Sequence, residues 1–217
     1  LSNFDIKSGG DLVFADPSSS TLNFNSATAD AGTGNLANVT NNSELTLNAN
    51  ASALTGAVAT TSGSVSNLNL SNGSSWTITG SSRVTNLSLT QSSATFAPGD
   101  GFKTLTVTNF TGGGGLLTFN AALGGANPGA DQLIIDGGKA TGSTTIAIRT
   151  VGAGGQVSVP LVTTANGGSI APGAFTLAGP VVVDGFVYSL QEQNGGEFLV
   201  SAPGVNQAQA NGSLASL

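Results

Sequence analysis

Short stretches of alternating apolar and polar residues recur along the first half of the chain: Leu22-x-Phe24, Leu45-x-Leu47, Leu68-x-Leu70, Leu87-x-Leu89 and Leu105-x-Val107. They follow one another at intervals of 23, 23, 19 and 18 residues. Alternation over so few positions predicts short strands with one face buried. Secondary pairs lie between them, Trp76-x-Ile78 and Ala94-x-Phe96, and Asn, Ser, Thr or Gly bound every segment. Two or three strands in each unit of about 20 residues, repeated by stacking, predict a parallel β-helix, in which each coil relies on the next to cover its backbone edge and apolar interior. Helices are disfavoured because Gly, Asn, Ser and Thr interrupt every stretch long enough to form one. The alternative is a β-sandwich, whose strands also recur with turn signals. A sandwich needs hairpin turns between successive strands, and few Asn-Gly or Asp-Gly pairs occur in the first hundred residues; Asn72-Gly73 is one.

Past Phe110 the period breaks at the run Gly112–Gly115. Irregular strand-like segments follow: Leu116–Phe119, Leu133–Ile135, Ile146–Ile148, Val157–Val162, Phe175–Leu177 and Val181–Val183. Asn194-Gly195-Gly196 separates Phe186–Leu190 from Phe198–Val200, and Asn-Gly supplies the positive φ angles of a tight turn, so these two segments should pair antiparallel. The expected fold is all-β: a right-handed parallel β-helix over residues 1–110, an antiparallel cap over 111–200, and a linker or tail over 201–217. An antiparallel cap gives a solenoid an end that resists edge-to-edge aggregation.

Composition narrows the chemistry. Gly (32), Ser (26), Thr (25) and Asn (20) make up close to half of the 217 residues, while charged residues are only 7%. The chain has no Cys, His or Met, which excludes Cys/His zinc sites, histidine-ligated haem and a Ser-His-Asp triad. A net charge of -6 opposes nucleic-acid binding, which depends on clustered Lys and Arg. Low charge with 39% hydrophobic residues departs from the signature of disorder. Opening on Leu1 without any Met suggests a piece of a longer polypeptide. The apolar run at Pro180–Val183 is far short of the roughly 18 residues of a membrane helix.

From Leu68 to about Val200 the chain resembles the C-terminal part of an autotransporter passenger, the pertactin-like β-helix with its autochaperone region. The matching segments are Asn72–Gly80 around Trp76, Val84-x-x-Leu87-x-Leu89, Phe96-Ala97-Pro98 and Gly101–Val107. Further on come Gly112–Phe119, Asp131-x-Leu133-x-Ile135, Ala140-Thr141-Gly142 and Tyr188-Ser189-Leu190. Phe198-Leu199-Val200 departs from the family, which more often ends on a Trp-Tyr-Leu type of segment. The resemblance implies a passenger that crosses the outer membrane through its own C-terminal β-barrel, absent from this chain, and works at the bacterial surface. It also implies that the C-terminal coils fold first and template the rest. Aromatic bulk agrees: Trp76, Phe96, Phe102, Phe110, Phe119, Phe175, Phe186, Tyr188 and Phe198 lie in the C-terminal part, against Phe4, Phe14 and Phe24 before it. The expected folding core is Trp76, Ile78, Leu87, Leu89, Phe96, Phe102, Leu105, Val107, Phe119, Leu133, Ile135, Tyr188, Leu190 and Phe198.

Parallel β-helices also host polysaccharide-degrading enzymes, whose sites gather carboxylates on one face. The candidates are Asp11 with Asp16, Asp100 with Lys103, and Asp131 with Asp136 near Lys139. None recurs at the coil spacing, and turn Asp is the simpler reading. Gly32-x-Gly34-x-x-Ala37 echoes a dinucleotide fingerprint without a strand-to-helix unit around it. Gly9-Gly10-Asp11 echoes a calcium nonapeptide without tandem copies. No cofactor or metal is expected. The expected role is a non-enzymatic stalk and folding module of a secreted surface protein. A binding surface for host glycans or a twin molecule, built from Asn, Ser and Thr, is the alternative.

Overall fold

The computed structural model describes residues 2–3, 5–99 and 101–202. The strands in the first half are β1 (Asp5–Lys7), β2 (Val13–Ala15), β3 (Ser19–Asn25), β4 (Thr28–Val39), β5 (Glu44–Asn50) and β6 (Ala53–Thr60), then β7 (Val65–Ser71), β8 (Ser75–Ile78), β9 (Ser82–Thr90) and β10 (Ser93–Phe96). The second half holds β11 (Thr104–Ala122), β12 (Gly129–Ala130), β13 (Gln132–Asp136), β14 (Lys139–Val151), β15 (Ser158–Ala165) and β16 (Ser169–Ile170), then β17 (Phe175–Leu177), β18 (Val181–Val183), β19 (Phe186–Gln193) and β20 (Gly196–Ser201). The fold is the expected parallel β-helix.

Each coil presents three faces in turn. On the first, Leu22 stacks on Leu47, Leu68, Leu87, Phe110 and Ala140 through parallel pairing of β3, β5, β7, β9, β11 and β14. On the second, Ala29 stacks on Leu54, Trp76, Ala94, Leu117 and Ile146. On the third, Val84, Val107 and Ile135 stack, as do Leu105, Leu133 and Val162. The first column fixes the register that the sequence left loose. Leu47, rather than Leu45, lies over Leu22, and Leu105-x-Val107 belongs to the third face, the first being continued by Phe110.

The corner between the first and second faces explains much of the composition. At least one residue per coil there takes a left-handed conformation: Ser26, Ala51, Asn72 with Gly73, and Gln91, with Gly114 and Gly142 following. Serines just after it turn inward and are buried, Ser52, Ser74 and Ser92. Ala27 N donates to Ser52 Oγ at 3.1 Å and Ser52 N to Ser74 Oγ at 3.0 Å, so the backbone is satisfied where the chain bends. Gly112–Gly115 belongs to this corner. A Cβ on Gly115 would lie 2.6 Å from the Leu89 Cβ. The run that reads as a break in the sequence is thus the bend by which β11 passes from one face to the next.

Winding therefore continues beyond residue 110, the boundary expected from sequence. Parallel pairing persists to β15 on the third face and β17 on the second. Antiparallel order is concentrated at the end: β20 pairs with β15, β19 with β20, and β18 with β19. Gln193 faces Gly196 across Asn194 and Gly195, whose φ values are 51° and 72°, so the hairpin expected at Asn-Gly is formed. Asp184-Gly185 makes a second tight hairpin between β18 and β19, with φ 50° and 82°. Of the tail expected over 201–217, residues 203–217 lie outside the described residues.

Candidate functional site: the aromatic core and its cap

Most of the expected core residues point inward. Trp76, Ile78, Leu87, Leu89, Phe96, Leu105, Val107, Phe119, Leu133, Ile135 and Tyr188 are buried. Three differ. Phe102 is 42% exposed, because it sits outside β11 in the corner leading into it, and its ring covers Gly129 instead of entering the coil. Leu190 is partly buried against the core. Phe198 is half-buried on β20, whose neighbour Leu199 is the residue fully buried. The alternation along β20 was legible but its phase was not: pairing with β15 turns Leu199 inward.

The interior is built around large rings. Trp76 stacks between Leu54 and the small Ala94, which leaves room for the indole at interior packing density. Its Nε1 donates to Gly56 O at 2.9 Å. Phe96 and Phe119 meet at 5.3 Å between ring centroids, and Phe110 and Phe175 at 5.5 Å, tilted contacts that add to area burial. Phe110 and Phe175 join coils that are distant in sequence, and sequence periodicity held no sign of their contact.

A buried carboxylate ties three segments together. Asp131 is fully buried. Its Oδ1 accepts from Lys103 N at 2.7 Å, and its Oδ2 accepts from Asn120 N and Asn120 Nδ2, both at 2.7 Å. Asn120 Nδ2 also reaches Phe96 O at 3.1 Å, and Lys103 Nζ donates to Ala97 O at 2.8 Å. Lys103 at the entry to β11, the end of β11 and the start of β13 are therefore held by one side chain. Such charge-assisted bonds to backbone N–H groups satisfy an otherwise costly buried charge. Sequence spacing suggested Asp131 beside Asp136, and Asn120 was not singled out.

Tyr188 fastens the cap. Its hydroxyl accepts from Gly155 N and donates to Gly155 O, both at 2.8 Å, which pins the connection between β14 and β15 under β19. Gly154 N donates to Asp184 Oδ2 at 2.7 Å, a second link from the same connection to the β18–β19 turn.

The acidic pairs go to separate partners. Asp136 accepts from Asn166 and from Arg83, whose Nη1 lies 3.0 Å from Oδ2. The Asn166 bond and then the Arg83 guanidinium hold its carboxyl below the usual range. Asp11 accepts from Asn38 and Asn35, each at 2.8 Å, and these bonds, Asn38 first, lower its carboxyl too. Asp16 accepts from Asn41. Asp100 lies outside the described residues, while Lys139 remains exposed at the start of β14. Among the described residues no three His, Cys, Asp or Glu side chains cluster to hold a metal, and Gly32–Ala37 runs within β4.

Comparison with known proteins places this core. The family model Autochaperone Domain Type 1 matches residues 82–190. The chain belongs to this family. The matched span starts in β9 and runs through the Asp131 clasp to Tyr188, and with it the chain is a segment of an autotransporter passenger. It is 35% identical over 90 residues to the uncharacterized protein YdeU of Escherichia coli (strain K12), a match covering 41% of this chain and 19% of YdeU. In fold it is similar to the crystal structure of the Haemophilus influenzae Hap adhesin, with a TM-score of 0.56 and 20% identity over 91% of this chain and 23% of that one. The autochaperone chain thus spans about a fifth of the length of YdeU and slightly more of Hap.

Proposed function

We propose that residues 82–201 are the folding nucleus of a passenger whose coils assemble from the C-terminal end. The observation that carries this reading is the cap. Antiparallel β20 occupies the outer edge of β15, and Tyr188 locks β19 over the last coil connection. Backbone pairing for further coils is then offered toward the N-terminus, so growth has a direction. The buried rings add drive, since burying each Phe-sized side chain contributes roughly 1.5–3 kcal/mol. Folding outside the cell needs no nucleotide energy, and the free energy of each added coil biases an emerging chain outward. The partner in this scheme is the passenger's own C-terminal outer-membrane barrel, and the place is the bacterial surface, reached through the periplasm. Pulse-labelled hydrogen exchange during refolding of the full chain tests the order. Amides of β11, β13, β14 and β20 gain protection before those of β3, β5 and β7. The reverse order overturns the proposal.

A second reading, adhesion or self-association, draws on the outer surface of the first face. Asn48 Nδ2 donates to Asn23 Oδ1 at 2.7 Å and Asn69 Nδ2 to Asn48 Oδ1 at 2.8 Å, while Asn86 and Asn109 extend a parallel ladder at 2.7 and 2.9 Å. The flat, almost uncharged array suits close approach of a twin molecule or a host glycan. Sedimentation and cell-aggregation assays test it, and a monomer that clumps nothing removes it. An enzymatic reading finds little support, because both oxygens of Asp131 are bound within the interior.

A further inference from the structure

The corner between the third and first faces is uneven in length, and the unevenness makes a notch. Early coils turn there through protruding segments, 40–43 between β4 and β5 and 61–64 between β6 and β7. In the next two coils the strand runs straight through: Thr85 alone separates Val84 from Asn86 in β9, and Thr108 alone separates Val107 from Asn109 in β11. In the following coil a two-residue connection, 137–138 between β13 and β14, returns. Two coils without a projection span about 10 Å at roughly 4.8 Å per strand. The resulting concavity has a volume of ≈ 460 Å³ and is lined by Thr60, Thr61, Ser62, Gly63, Ser64, Arg83, Val84, Thr85 and Thr108, within the roughly 300–1,000 Å³ of small-ligand sites.

Its chemistry selects the ligand. The wall and floor present hydroxyls. The Thr85 oxygen accepts from Ser66 N at 3.1 Å and keeps its O–H to donate, and among the described residues the Ser62 and Thr108 hydroxyls bond no protein group. Arg83 borders the notch with one guanidinium nitrogen on Asp136, so the local charge is balanced and further N–H donors remain. A lone neutralised cation does not suit a phosphate backbone, which calls for several. An extended peptide needs a free strand edge or side-chain pockets, and here the strands on either side of the floor already pair with each other, Val84 with Val107 and Asn86 with Asn109. A polyhydroxylated, uncharged ligand matches what is left.

We propose that this notch is a subsite for an uncharged oligosaccharide, with Thr85, Thr108, Ser62 and the outer face of Arg83 as hydrogen-bonding partners. The site lies on the corner beside the Asn86–Asn109 ladder and is separate from the aromatic core, so its test does not depend on the folding proposal. The floor holds no aromatic platform, and affinity is accordingly in the millimolar range.

The test is titration of the full, isotopically labelled chain with maltohexaose, cellohexaose, chitohexaose, mannohexaose and, as an acidic control, hexagalacturonate. Sugar is taken to about 10 mM, ten times a dissociation constant of roughly 1 mM. At least one neutral sugar produces saturable amide shifts centred on Ser62–Ser64, Thr85 and Thr108. Thr108→Trp and Ser62→Trp, which fill the notch from floor and wall, each weaken that binding at least tenfold while the circular dichroism spectrum is kept. Should Thr108→Trp not fold, Ser62→Trp on its exposed corner decides alone. No saturable shift with any neutral sugar, binding confined to hexagalacturonate, or binding unchanged in a folded filling variant each overturns the assignment.

Discussion

Asp131 and Trp76 show how single side chains carry this fold. Replacing Asp131 with Ala strands two backbone donors, Lys103 N and Asn120 N, and leaves Asn120 Nδ2 only its bond to Phe96 O and a longer one to Ala97 O. Each stranded donor costs on the order of 1–3 kcal/mol, so Asp131→Ala should lower unfolding free energy by about 3 kcal/mol or more in urea. Asp131→Asn, which keeps one accepting oxygen, should cost less; equal losses would mean that the bonds are not what matters. Trp76→Ala removes a fully buried ring and orphans the Gly56 carbonyl, for about 3–5 kcal/mol. Phe14→Ala, at a ring 61% exposed, should stay within about 0.5 kcal/mol. The inward aromatics were legible where alternation was regular, as at Trp76-x-Ile78. Phe102 was misplaced because a corner residue has no period to read. Asn120 was missed because its partner lies across a loop that only folding closes.

At the scale of elements, the β19–β20 hairpin carries a built-in conflict. Glu192 and Glu197 face each other directly across the two strands, where like charges destabilise. Partial burial first, and the Glu192 charge second, push the Glu197 carboxyl above the usual glutamate range. The other strand packed against Glu197, β15, holds no charged residue. A carboxyl raised in the folded state binds its proton more readily there than in the unfolded chain, so stability rises as pH falls through that raised value. Protection factors of the β19 and β20 amides, which remove the intrinsic slowing of exchange with falling pH, should therefore rise on mild acidification, and Glu197→Gln should raise them at neutral pH and flatten the trend. Below the usual aspartate range the sign reverses elsewhere. Asp136 and Asp11, both lowered, lose their Asn166, Arg83 and Asn38 bonds on protonation. Hairpin protection factors that ignore pH in wild type would remove the repulsion from the account.

For the whole molecule the prediction concerns which part stands alone. Residues 1–110 end in the middle of β11 and lack every strand that seals the C-terminal end. They should be poorly folded by circular dichroism and rapidly cleaved by protease. Residues 68–202 keep the Phe96–Phe119 and Phe110–Phe175 contacts, the Asp131 clasp and the cap, and should remain folded. An independently folded N-terminal half beside a molten C-terminal half would reverse the proposed direction of assembly. Stability that is nearly a sum of coil and interface contributions is expected of a solenoid, which makes this comparison of fragments meaningful.

The chain's own pattern determined the architecture. Period-two apolar pairs at near-coil spacing, bounded by Asn, Ser, Thr and Gly, leave little alternative to stacking strands, and Asn194-Gly195 dictates its hairpin through local backbone preference. Tertiary structure decided the register, the corners and the clasp. A shift of two residues keeps the same side chains inward, so local alternation cannot distinguish Leu45 from Leu47 over Leu22; the neighbouring coil does. Gly112–Gly115 reads as an interruption until Leu89 of the preceding coil shows that a bend must pass there without side chains. Asp131 becomes a fastening only when Lys103 and Asn120 are brought around it, because a buried charge takes its meaning from partners that sequence distance conceals.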